Sequence, residues 1–113
     1  MTGPSKELQT MKAEFFRALA HPMRIRLLEV LSEKGEQSVQ ALHTRLGVDQ
    51  PVVSQQLAKL RAHGVVATRK EGTMVLYVLA DPRIADLLNV AKEILNRKLT
   101  GSKTLLHELR RLG

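Results

Sequence analysis

The stretch QPVVSQQLAKLR, Gln50 to Arg61, groups side chains that suit recognition better than bond-making. A glutamine amide donates and accepts hydrogen bonds at once, as a base edge in the DNA major groove requires, and a serine hydroxyl serves either a base or a phosphate. If the stretch is a helix with Val53, Leu57 and Leu60 turned inward, its outermost positions are Pro51, Gln55, Ala58, Lys59 and Ala62, with Val52 and Ser54 on the flanks. The small Ala58 allows close approach of another surface. A solvated helix face usually pairs acids with bases four residues apart. Here no acid occurs between Ser54 and Lys70, while Lys59, Arg61, Arg69 and Lys70 are cationic and His63 lies among them. Either this is a surface helix that happens to lack acids, or it faces a polyanion. Lys59, Arg61, Arg69 and Lys70 suit the sugar-phosphate walls of a duplex. Catalytic machinery is missing from the pattern. No nucleophile stands in a glycine-rich elbow, no phosphate loop is present, and the carboxylates are few and separated.

Positioning such a face needs a particular set of elements. Leu8, Met11, Phe15 and Leu19 form a helical stripe over Lys6 to Ala20. Pro22 suits the first turn of a second helix running to Glu33, with Met23, Leu27, Val30 and Leu31 inward and Gly35 as its stop. Ser38 can cap a short third helix, Val39 to Leu46, with Val39, Leu42 and Leu46 inward. Gly47 to Gln50 then breaks the chain before the fourth helix, Gln50 to His63, the sign of a helix-turn-helix over about 39–63. Gly64 ends it. The period changes at VVATRK and MVLYVL, two strand-like runs separated by Glu71 to Thr73, which predict a hairpin over about 65–79 with Arg69 to Thr73 at its tip. That tip is either an ordinary solvated turn or a wing whose Arg69 and Lys70 touch phosphate or minor groove, with Thr73 beside them. A last long helix, about 82–99, repeats Ile84, Leu87, Leu88, Ala91, Ile94 and Leu95 at helical spacing. After Thr100-Gly101, the basic tail 100–113 is expected to form a short amphipathic turn or two or to stay disordered. The fold class is mainly α with a small β-hairpin, a winged helix-turn-helix in one domain spanning 1–113.

The bulk properties agree. The chain has 113 residues and 18 Lys and Arg against 11 Asp and Glu, a formal net charge of +7, which points toward a polyanion partner such as nucleic acid. It contains no Cys, which excludes disulfides and thiolate metal sites. No apolar run approaches membrane-spanning length and MTGPSKELQT lacks an apolar signal region, so a soluble cytoplasmic protein without a membrane partner is expected.

FFRALAHPMRIRLLEVL (Phe15 to Leu31), followed by QPVVSQQLAKLRAHGVVATRKEGTMVLYVL, resembles the ArsR/SmtB family of bacterial winged-helix transcriptional regulators over roughly Ala13 to Leu95. The resemblance implies a homodimer that controls a promoter and an effector that alters its DNA affinity, with a small molecule, a metal and another protein all open as its identity. It also implies that Gln50, Ser54 and Gln55 face the bases. Relatives commonly have His where this chain has Gln55 and Gln56, so base preference need not carry over. The arsenic- and cadmium-type metal site of the family uses cysteines where this chain has Ser38 to Gln40, and neither Ser nor neutral Gln replaces a thiolate. The zinc- and nickel-type site uses carboxylates and His on the last helix, which here holds Asp86 and Glu93 but no His. No metal cofactor is therefore predicted, although nickel or zinc at positions new to the family stays open. Among the histidines, His21 reads as a cap or turn residue and His63 as a phosphate contact or helix-end dipole partner.

The stripes Leu8, Met11, Phe15, Leu19 and Ile84, Leu87, Leu88, Ala91, Ile94, Leu95 together exceed what one small core needs. They either pack on their own chain or form a two-fold interface between terminal helices, about 6–20 and 82–99. The expected function is a dimeric, sequence-specific regulator of the repressor type, bound to an inverted-repeat operator in double-stranded DNA. A non-specific architectural DNA-binding protein is the alternative, and a winged helix used for protein contact alone is a third reading.

Overall fold

A computed structural model describes residues 5–99 and 103–112. Capping side chains start the first three helices. Ser5 Oγ accepts from the Leu8 N–H at 3.0 Å and opens α1 (Lys6–Leu19). His21 is the N-cap of α2 (Pro22–Lys34), its Nδ1 accepting from the Met23 N–H at 3.1 Å, with Pro22 in the first turn. Ser38 Oγ accepts from the Ala41 N–H at 3.1 Å and opens α3 (Val39–Leu46). Gly47 follows in the left-handed region at φ 66°, ψ 33°, a conformation that favours glycine, and turns the chain into α4 (Gln50–Ala62).

A two-residue strand, β1 (Gln37–Ser38), precedes α3, and the hairpin is β2 (Val66–Glu71) with β3 (Met74–Leu79). The antiparallel sheet has the order β1-β3-β2, with Gln37 opposite Tyr77 and Arg69 opposite Leu76. Glu71 pairs with Met74, so the loop is only Gly72 and Thr73, shorter than the three residues the sequence pattern suggests. Gly72 has φ 64° and Thr73 is not in the positive-φ region, the pattern of a type II′ hairpin loop. The strand β1 is not legible in the sequence, because two residues show no periodicity and Gln-Ser has little strand preference.

Asp81 Oδ1 accepts from the Arg83 N–H at 2.8 Å where α5 (Arg83–Lys98) begins. A final helix, α6 (Lys103–Leu112), packs against α5 with Leu106, Leu109 and Leu112 half-buried. The tail is thus more regular than its sequence alone required. The expected break at Thr100-Gly101 lies outside the described residues.

The core draws Leu27, Leu28, Val30 and Leu31 from α2, Leu42 from α3 and Val53, Leu57 and Leu60 from α4. Val65, Val66, Ala18, Leu19 and Ile84 complete it, with Met23, Val39, Leu46, Leu87 and Leu88 packed at its edge. Leu19 and Ile84, read from the sequence as interface residues, are only 8% and 6% exposed within their own chain, which corrects that assignment. Leu19 lies in the last turn of α1, where that helix meets α4, and Ile84 in the first turn of α5, where it meets α2. Helix ends close to the core bury their apolar residues locally. The rest of α1 stands away from the core, so Leu8, Met11, Phe15 and Phe16 remain exposed, as do Ala91, Val90, Ile94 and Leu95 on α5.

One carboxylate pays a burial penalty. Desolvation of the half-buried Glu29 on α2 pushes its pKa above the ordinary carboxylate value; Glu33 adds to this, and Arg26 and Lys92 oppose it. A raised folded pKa stabilises the protonated form, so the stability it contributes is lost as pH rises through that pKa. Glu29→Gln is accordingly expected to raise the thermal midpoint at neutral pH. The gain should fade as pH falls through the ordinary carboxylate range, a trend that melting curves of both proteins across pH would reveal or refute.

Candidate nucleic-acid interface

The orientation of α4 about its own axis follows from its buried residues. Val53, Leu57 and Leu60 have no solvent exposure, and Gln56 is only 9% exposed. The Gln56 amide oxygen accepts from Arg24 Nε at 2.9 Å, and Arg24 also donates from Nη1 to the Ala18 carbonyl at 3.2 Å. One guanidinium thereby links α1, α2 and α4. A buried polar group left without such a partner costs about 1–3 kcal/mol, so the contact resists rotation of α4. Sequence reasoning missed this role of Gln56. The signal was its spacing, three residues after Val53 and four before Leu60, which puts it on the inner flank.

With that side held, Gln50, Pro51, Val52, Gln55, Ala58, Lys59, Arg61 and Ala62 are exposed and Ser54 is half-buried. The exposed face contains no acid. Its chemistry is that of a neutral hydrogen-bonding strip edged by cations, able to approach a groove without repelling phosphates.

The hairpin differs from its sequence reading in the state of its cations. Arg69 Nε donates to a Glu36 carboxylate oxygen, and Arg69 Nη2 donates to Glu71 at 3.1 Å. The Glu36 hydrogen bond is the main reason the guanidinium pKa is raised. Glu36 comes from the residue just before β1, so the short strand brings this acid to the hairpin. Arg69 therefore already has counter-charges within the chain. Lys70 points to the opposite face of β2 and has no ion pair among the described residues. Thr73 is exposed in the loop.

His63 is not brought together with the outer strip. It caps the end of α4, and its Nδ1 donates to the Lys59 carbonyl at 2.9 Å. The ring lines a cleft against α1 and α2 instead.

Ser38 Oγ is occupied as the α3 cap, while Asp86 and Glu93 are exposed on α5. Among the described residues no three His, Cys, Asp or Glu side chains come together as a metal-binding group. No helix among them is long and apolar enough to cross a membrane.

Residues 19–69, from the end of α1 through most of β2, match the family model of a helix-turn-helix domain. An uncharacterized HTH-type transcriptional regulator of Mycobacterium tuberculosis strain H37Rv, Rv0081, is 44% identical over 109 residues, 96% of each chain. Its crystal structure has a TM-score of 0.77 at 47% identity, covering 86% of this chain and 97% of that one. The HTH-type transcriptional repressor SmtB of M. tuberculosis strain CDC 1551 is 41% identical over 85 residues, 75% of this chain and 62% of that protein. The chain belongs to the ArsR/SmtB family. It is a DNA-binding transcriptional regulator, and the family is not one of enzymes. A further neighbour, the homodimeric winged helix-turn-helix DNA-binding domain of Mb0332 from Mycobacterium bovis, described as a possible ArsR-family transcriptional regulator, has a TM-score of 0.77 at 29% identity, covering 91% of this chain and 97% of that one.

The charge pairing at the hairpin sets up a comparison of two variants. Lys70→Ala is expected to lower the slope of log affinity against log salt by about one unit, because one phosphate contact is lost. Arg69→Ala should change the slope distinctly less, since Glu36 and Glu71 already balance its charge. DNA binding of both variants over a range of salt concentrations checks this, and equal losses of slope would contradict it.

Proposed function

We propose that the chain is a dimeric, sequence-specific repressor that binds an inverted-repeat operator in the cytoplasm. The observation that carries this reading is the exposed, acid-free face of α4 opposite its buried stripe. In the proposed complex Gln50, Ser54 and Gln55 hydrogen-bond to base edges, and Ala58 and Val52 allow close apolar approach. Lys59, Arg61, Lys70 and Thr73 contact the sugar-phosphate backbone, with Arg69 shaping the wing. The repressor assignment is supported by relatives such as SmtB, named as a transcriptional repressor.

Dimerisation is supported by apolar surface that the chain leaves uncovered. Met11 is 62% exposed, Phe16 58%, and Val90 and Ile94 51% each. A second copy joined through α1 and α5 places two copies of α4 on successive major-groove faces, about 34–36 Å apart. No metal is assigned in this reading.

Footprinting on the DNA upstream of the chain's own gene tests the reading directly. Protection confined to one dyad-symmetric site is expected, whereas uniform coating would favour an architectural protein. Gln55→Ala should relax base choice at one position, by about 1–3 kcal/mol of discrimination, with an unchanged salt slope. Ile94→Asp should shift the chain to monomer in sedimentation and weaken operator binding. A variant that stays dimeric would remove Ile94 from the interface.

A further inference from the structure

A cleft of about 550 Å³ lies where the last turns of α1, the start of α2 and the end of α4 meet. Arg17, His21, Arg24 and His63 line it, with Glu14 at one side. We propose that this cleft binds a small molecule bearing a phosphate group, and that occupancy alters DNA affinity through Arg24.

The donors are arranged for an oxyanion. Arg24 engages Nε and Nη1 with Gln56 and Ala18, which leaves Nη2 for a ligand. Arg17 is exposed and its guanidinium has no hydrogen bond or ion pair among the described residues. The His21 Nδ1 accepts from the Met23 N–H, so this ring carries its proton on Nε2 and is a further donor. The His63 Nδ1 donates to the Lys59 carbonyl, which leaves Nε2 to accept from a P–OH. These groups come from three helices and so surround a tetrahedral dianion better than a flat monoanionic carboxylate. Glu14 opposes an anion, but a single carboxylate faces two guanidinium groups. A metal cation is disfavoured by those same guanidinium groups, and no metal-binding group of three ligands occurs among the described residues.

The regulatory consequence rests on the reading of α4 as the DNA-reading helix. Arg24 holds Gln56 on the inner flank of α4 and also lines the cleft. A phosphate held at Nη2 shifts the guanidinium whose Nε holds Gln56 and so biases the roll of α4. Linkage then requires DNA and ligand to alter each other's affinity by the same factor.

Inorganic phosphate is the probe. The full chain is titrated with it at constant ionic strength, chloride replacing phosphate, while the histidine ring resonances are followed by NMR. Saturable shifts are expected at His21 and His63, with His43 and His107 unmoved. Arg17→Gln, an exposed substitution that should fold normally, is expected to weaken binding by about tenfold or more. Shifts that do not saturate, that affect all four histidines alike, or that persist unchanged in Arg17→Gln would overturn the site. This titration contains no DNA, so its outcome is separate from the footprint that tests α4. Operator affinity is then measured with and without phosphate at fixed ionic strength. A change in the wild-type chain that is lost in Arg17→Gln supports the coupling, and no change in the wild type overturns it.

Discussion

Val53, Leu57 and Leu60 sit fully inside the core while Arg24 grips Gln56 beside them, and this combination holds the roll of α4. A helix rotated by one residue turns each side chain through roughly 100°. A rotation that put Gln56 at the exposed place of Gln55 would turn Gln55 to the half-buried place of Ser54 and break the Arg24 contact. The apolar stripe sets the coarse orientation, and the directional hydrogen bond narrows it. The neutral strip on the outside is thus a consequence of the packing on the inside.

The same division between packing and polar contacts recurs at the wing. The β2–β3 ladder sets which side chains share a face, and the short loop at Gly72 and Thr73 makes the tip tight. Charge placement depends on a different element. By pairing with β3, β1 carries Glu36 toward Arg69, so one wing cation is compensated and Lys70 is left with none of these partners. A count of cations along the chain therefore overstates the field that the wing presents to a phosphate.

Apolar surface tells a related story at the opposite end of the chemistry. The ends of α1 and α5 nearest the core contribute Leu19 and Ile84 to it, whereas their outer turns expose Met11, Phe16, Val90 and Ile94. One helix thus serves two purposes along its length. The junction of α1 with α2 lies next to both the core and the end of α4. Arg24 is the atom-level link in that junction, bonded to Ala18 on one side and Gln56 on the other.

Periodicity made the helices and the hairpin readable in advance, since Val53, Leu57 and Leu60 repeat at helical spacing and VVATRK and MVLYVL are β-branched and apolar runs. Local chemistry made several of the boundaries readable too. Ser38, Pro22 and Gly47 act within a few residues of themselves, so no distant partner is needed to interpret them. The exposed positions of α4 followed from the same wheel. Contacts between residues far apart in the chain were a different matter. Arg24 with Gln56 and Glu36 with Arg69 are separated by 32 and 33 positions, and no local pattern announces such pairs. Nor could spacing alone divide the stripes of α1 and α5 into core and surface, because a stripe says which face is apolar and not how far along the helix the core extends. Those features depend on where folding brings distant segments together in space, a quantity that local propensity does not encode.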